Sequence, residues 1–152
     1  LCKGINTTRM AKRSSTDYIV VHCSATKPSM KNVGRVEIDA WHRHRGWLGI
    51  GYSYVIKRDG LLENGRNPDA IGAHAAGYND CSVSICLIGG VTEDDVTVAE
   101  NNFTDEQYTT LASLLDTLKD MYPDAEVLGH RDLPNVTKDC PSFSVKKWLD
   151  SN

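Results

Sequence analysis

The chain has 152 residues, 40% hydrophobic and 24% charged, with a formal net charge of -3 and a pI near 5.9. That is enough chain for one soluble domain with a real core, and it excludes a disordered or fibrous protein. A general DNA or RNA binder needs a basic field that is missing here, and no apolar run approaches the roughly 18 residues of a membrane span.

Residues 1–15 are polar and basic, without the apolar stretch of a secretory signal. Met10-Ala11-Lys12-Arg13 reads as a start, so residues 1–9 are set aside. Residues 1–15 are taken as an N-terminal extension without fixed structure, and residues 16–152 as one domain free of repeats and linkers.

Tyr18 to Cys23 is a β-branched apolar run and predicts a buried strand. A polar loop, Ser24 to Gly34, leads to a helix over Arg35–Arg45, with Val36 or Ile38 and Trp41 on its core side and Gly46 as its stop. Tyr52 to Lys57 predicts a second strand, and Asp59-Gly60 a hairpin turn into Leu61-Leu62-Glu63. Val83 to Ile88 predicts another buried strand, ended by Gly89-Gly90. Thr104-Asp105-Glu106-Gln107 is a capping box. Leu111, Leu114, Leu115, Leu118 and Tyr122 follow at helical spacing, and Pro123 ends the pattern. Glu126 to His130 is a short strand, and Ser144 to Ser151 a terminal helix carrying Trp148. The order β-α-β-β-β-α-β-α predicts an α/β fold: one domain with a mixed central sheet flanked by helices, and its chemistry at the strand ends.

Five cysteines at irregular spacing suggest reduced thiols in a cytosolic protein. A Cys81–Cys86 loop is the less favoured alternative, and Cys23, Cys81 and Cys86 read as small buried hydrophobes. His22 closes the first strand, His130 closes the last, and Cys140 lies in the loop beyond it. Two imidazoles and a thiolate suit zinc, with a fourth position left open for water. Adjacent strand residues face opposite ways, which sets Cys23 toward the core if His22 faces the site. Cys140 sits in a polar loop where a thiolate is easier to keep. Spacing alone leaves open two solvated histidines and a buried cysteine. His42 and His44 read as solvated helix-end residues, where a histidinium favours the dipole. His74 lies among glycines and alanines, in a surface loop or a loop lining a substrate. His130-Arg131-Asp132 imitates a kinase catalytic loop, but Thr137 stands where the asparagine belongs and no phosphate loop precedes it.

Taken together, Val21-His22-Cys23-Ser24-Ala25-Thr26-Lys27-Pro28-Ser29, Gly51-Tyr52, Ile56-Lys57-Arg58-Asp59-Gly60, Gly72-Ala73-His74-Ala75-Ala76-Gly77-Tyr78-Asn79, Leu87-Ile88-Gly89-Gly90, Asn102-Phe103-Thr104, Gly129-His130 and Cys140-Pro141-Ser142-Phe143 resemble the N-acetylmuramoyl-L-alanine amidases of the bacteriophage T7 lysozyme type. The same fold is shared with peptidoglycan recognition proteins. The resemblance runs from about Ser15 onward, while the acidic loop 91–101 and the N-terminal extension are unmatched. It implies a phage endolysin that hydrolyses the bond between N-acetylmuramic acid and L-alanine in peptidoglycan, with Zn2+ held by His22, His130 and Cys140. It further implies catalytic roles for Tyr52 and Lys138 and a place for His74 beside the substrate. Implied too are a monomer, accumulation in the host cytoplasm, and access to the wall through a membrane lesion made by another protein. The family also offers a second partner, the phage RNA polymerase, and a groove that binds peptidoglycan without cutting it. A cysteine hydrolase using Cys140 with His130 is the remaining alternative.

Overall fold

The computed structural model describes residues 11–152. Its elements are β1 (Tyr18–Cys23), α1 (Arg35–His44), β2 (Tyr54–Ile56), β3 (Leu62–Asn64), β4 (Ser82–Leu87), α2 (Asp105–Met121), β5 (Glu126–Gly129) and α3 (Val145–Asp150). Short 3-10 turns occupy Asn79–Cys81 and His130–Asp132. The strands form a five-stranded sheet in the order β3-β2-β4-β1-β5. β2, β4, β1 and β5 run parallel, and β3 is antiparallel to β2. The mixed sheet and the element order match the expectation.

Strand alternation divides the sheet into two faces. Ile19, Val21 and Cys23 of β1 join Val83, Ile85 and Leu87 of β4 in a core closed by Leu111, Leu114, Leu115 and Leu118 of α2 and Val145 of α3. Full burial of each such leucine contributes roughly 1.5–3 kcal/mol. On the opposite face Val20 packs with Ala75, Tyr78, Leu128 and Leu133, and Ile38 of α1 packs with Val55, Cys86 and Ile88. Much of that face is covered by the loop between β3 and β4 rather than by a long helix.

The α2 capping box forms as its sequence dictates. Gln107 N–H donates to Thr104 Oγ1 at 3.1 Å, and Thr104 N–H donates to Gln107 Oε1 at 3.0 Å. Gln107 is completely buried, and its amide also donates to the carbonyls of Ile56 and Ile88. It thereby ties the start of α2 to the ends of β2 and β4.

Three details depart from the sequence reading. In α1 the buried positions are Ile38 and His42, whereas Val36 and Trp41 are exposed. A spacing of four residues puts Ile38 and His42 on one face, and the aromatic ring of Trp41 falls beside it. Cys86 is a free buried thiol, so no Cys81–Cys86 loop closes, and Cys81 is disulfide-bonded rather than reduced. Residues 11–15, assigned to the extension, run along the domain. Arg13 N–H donates to the Asp69 carbonyl at 2.7 Å, Lys12 bridges Ala70, and the Arg13 guanidinium lies 5.6 Å from the Tyr122 ring centroid. The remainder of the extension, residues 1–10, lies outside the described residues. Among the described residues no helix is long and apolar enough to cross a membrane.

Candidate metal centre

Parallel pairing of β1 with β5 sets Val21 opposite Gly129. The next residue in each case is a histidine, so His22 near the end of β1 and His130 just beyond the end of β5 meet at the carboxyl edge of neighbouring strands, with ring centroids 4.5 Å apart. That edge of a parallel sheet is where ligands are usually held. Cys140 arrives from the following loop. Its carbonyl accepts from Arg131 N–H at 2.8 Å, and its Sγ accepts from Cys23 N–H at 3.2 Å.

One ligand atom from each of His22, His130 and Cys140 lies within 4.8 Å of the others. Sγ of Cys140 stands 3.8 Å from Nδ1 of His22. Tetrahedral zinc, with Zn–N of about 2.0–2.1 Å and Zn–S of about 2.3 Å, sets such a pair about 3.6 Å apart. The donor set and its spacing therefore fit zinc, with one coordination position left over.

Electrostatics agree. Burial pushes His22 well below the ordinary histidine range, with His74, His130 and Lys138 adding to the shift. Burial, then Lys138, lowers His130. Neutral imidazoles are what a metal needs. The Cys140 thiol is held well above its usual range, by its side-chain contact with the Cys23 thiol first and by burial second, against the backbone N–H of Cys23, which lowers it. The polar loop therefore does not by itself favour a thiolate at Cys140, because the sulfur is drawn inward beside Cys23. A bound cation would reverse that, since a coordinating thiol is deprotonated outright. Cys23 packs in the core as expected, with its Sγ 3.8 Å from Ser142 Oγ.

Tyr52 precedes β2 and sets its ring 5.1 Å from that of His22. Burial raises its phenol well above the ordinary value, which keeps it a proton donor. Lys138 is exposed and, with His130 and His74, lines a groove of about 590 Å³. A second groove of about 550 Å³, walled by Trp47, Leu48 and Arg66, also reaches His74. His74 therefore stands between the two grooves. Its ring nitrogens are both engaged within the protein, Nδ1 at 2.8 Å from His22 Nε2 and Nε2 at 2.9 Å from Ser82 Oγ. Its backbone N–H and that of Ala75 both donate to Asn79 Oδ1, which fixes the loop.

His42 is not a solvated helix-end residue. It is buried, and its Nδ1 accepts from Gly51 N–H at 2.8 Å. Burial, with Arg45 and Arg66 nearby, lowers its pKa to about 4. A neutral acceptor is needed there, so the helix dipole does not decide its charge. His44 is exposed, as read. The sequence reading also missed Ser82 and Arg66. Ser82 interrupts the apolar character at the head of β4, a signal that could have marked it. Arg66 is buried and donates to the carbonyls of Ile50, Ile71 and Gly49, an arrangement without a local sequence signature.

The family model described as N-acetylmuramoyl-L-alanine amidase matches residues 12–143. The endolysin of Escherichia phage T7 is 49% identical over 141 residues, which cover 93% of this chain and 90% of the relative. The solved structure of the endolysin and N-acetylmuramoyl-L-alanine amidase LysCS from Clostridium intestinale superposes with a TM-score of 0.79 at 26% identity, covering 99% of this chain and 91% of that one. Wild-type Drosophila PGRP-LB gives 0.74 at 26% identity, over 95% of this chain and 86% of that one.

Proposed function

The chain belongs to the N-acetylmuramoyl-L-alanine amidase family, and from that premise we propose that it is a zinc-dependent phage endolysin that cuts peptidoglycan between N-acetylmuramic acid and L-alanine. The observation that carries the reading is the convergence of His22, His130 and Cys140 at the ends of β1 and β5, with ligand atoms within 4.8 Å of one another. Zinc bound there would act as a Lewis acid on the amide carbonyl and acidify water to near neutral pH.

The chain's own residues supply the rest. Hydrolysis forms a carbon–oxygen bond, breaks the carbon–nitrogen bond and delivers a proton to the departing amine of L-alanine. The Lys138 ammonium, on the wall of the groove beside His130, stabilises negative charge building on the carbonyl oxygen. The Tyr52 phenol, held protonated by burial with its ring 5.1 Å from that of His22, serves as a hydrogen-bond donor to the water or the oxyanion. His74 borders both grooves but has no ring nitrogen to spare, so the proton for the leaving amine comes from Lys138 or Tyr52. In this reading the protein, like a phage endolysin, acts on the cell wall, after synthesis in the host cytoplasm and opening of the membrane by another protein; its similarity to the endolysin of Escherichia phage T7 is what favours it.

Mass analysis of fragments released from purified peptidoglycan tests the reading. The expected products are stem peptides with a free L-alanine amino terminus and uncut glycan strands. New reducing sugar ends, or cuts within the cross-bridge, would overturn it.

A further inference from the structure

His22 turns its two ring nitrogens to different neighbours. Nδ1 faces the Cys140 sulfur at 3.8 Å, and Nε2 lies 2.8 Å from His74 Nδ1. His74 Nε2 in turn lies 2.9 Å from Ser82 Oγ. Ser82 donates its hydroxyl proton to the Tyr78 carbonyl at 2.6 Å. A serine hydroxyl has one proton to give. With that proton on the carbonyl, Ser82 can only accept from His74, so the His74 proton sits on Nε2. His74 Nδ1 is then an acceptor, and His22 must donate to it from Nε2. The lone pair of His22 is left on Nδ1, the nitrogen that faces Cys140.

We propose that His74 and Ser82 are positioning residues, which set the tautomer and the ring orientation of His22 for metal ligation. The inference rests on the zinc reading of the site. Metal-bound histidines regularly donate their second N–H to an outer partner, most often a carboxylate, a carbonyl or water. Here the partner is a neutral imidazole, itself anchored through a hydroxyl to a backbone carbonyl in the 3-10 turn region ahead of β4. This partner adds no negative charge beside His22. The loop is built to hold this chain in place. Asn79 clamps the backbone of His74 and Ala75, and at Gly72 an added Cβ would lie 3.0 Å from His74 Cδ2.

The test combines zinc affinity, by competition with a chelator, with 15N NMR of the histidine rings in the metal-free protein. The wild type should show His22 protonated on Nε2. His74→Leu should lower zinc affinity by about 10–100-fold and mix the His22 tautomers. His74→Gln, which can accept from His22 and donate to Ser82, should restore both. Ser82→Ala should mix the tautomers while sparing the fold, which covers the case of a His74→Leu protein that does not fold. A wild type protonated on His22 Nδ1 overturns the inference without any variant. Tight zinc binding by the wild type, matched by His74→Leu, overturns the inference alone; a wild type that takes up no zinc overturns the metal reading and the inference with it.

Discussion

Replacing Gly51 with alanine should damage the metal centre from a distance. A Cβ at Gly51 would lie 1.9 Å from the Ala73 carbonyl oxygen and 2.8 Å from its carbon. Both are backbone atoms, so no side-chain rotation relieves the contact. Ordinary contact lies well above 3 Å, so the two strands of chain must part by about an ångström. The bond from Ala73 N–H to the Gly51 carbonyl and the bond from Gly51 N–H to His42 Nδ1 sit at that junction, and His74 is the next residue along. Overpacking of this kind costs roughly 1–3 kcal/mol. For a domain of this size that lowers the Tm by roughly 3–10 °C. The shift of His74 should also weaken zinc binding about tenfold or more. Thermal melts of the metal-free protein and chelator competition read the two effects separately. A Tm within a degree of wild type, together with unchanged zinc affinity, would refute the reasoning that this close approach holds the His74 loop in place.

Lys138→Met should lower kcat by about 100-fold or more while zinc stoichiometry stays at wild-type level, because the proposed role of the ammonium is toward the reacting carbonyl and not the metal; steady-state kinetics with metal analysis check this. Gln107→Leu should destabilise the fold by about 2–3 kcal/mol in urea titration, since it strands the Thr104 N–H and removes the buried tie between α2 and two strands. The metal-free protein should lose stability as pH falls from about 6.5 toward 4. His42 titrates at about 4 when folded and near 6.5 when unfolded, so the unfolded chain binds more protons in that window and the stabilisation present above it is lost. Melts of wild type against His42→Phe across that range should show a shallower slope for the variant.

Much of this molecule was legible from local pattern. β1 follows from its β-branched apolar run and the α2 capping box from the Thr104–Gln107 spacing, both of them patterns carried within a few residues of sequence. His22, His130 and Cys140 could be singled out as strand-end and loop residues, but their meeting depends on the pairing of β1 with β5, which sequence spacing does not encode. What stayed hidden was the direction and charge of buried polar groups. His42 reads as a helix-end cation, yet one hydrogen bond from Gly51 and burial make it a neutral acceptor. His74 reads as a loop residue beside a groove, and only its partners His22 and Ser82 disclose that its ring is committed inward. Trp41 reads as a core-side residue of α1, yet the polar His42 occupies the buried side of that helix.

X-ray absorption at the zinc edge tests the central claim most directly. The purified protein should carry one zinc, with nitrogen scatterers at about 2.0–2.1 Å and a single sulfur at about 2.3 Å, and Cys140→Ser should abolish the sulfur contribution. Protein without stoichiometric zinc, or zinc with no sulfur in its coordination shell, would contradict the account.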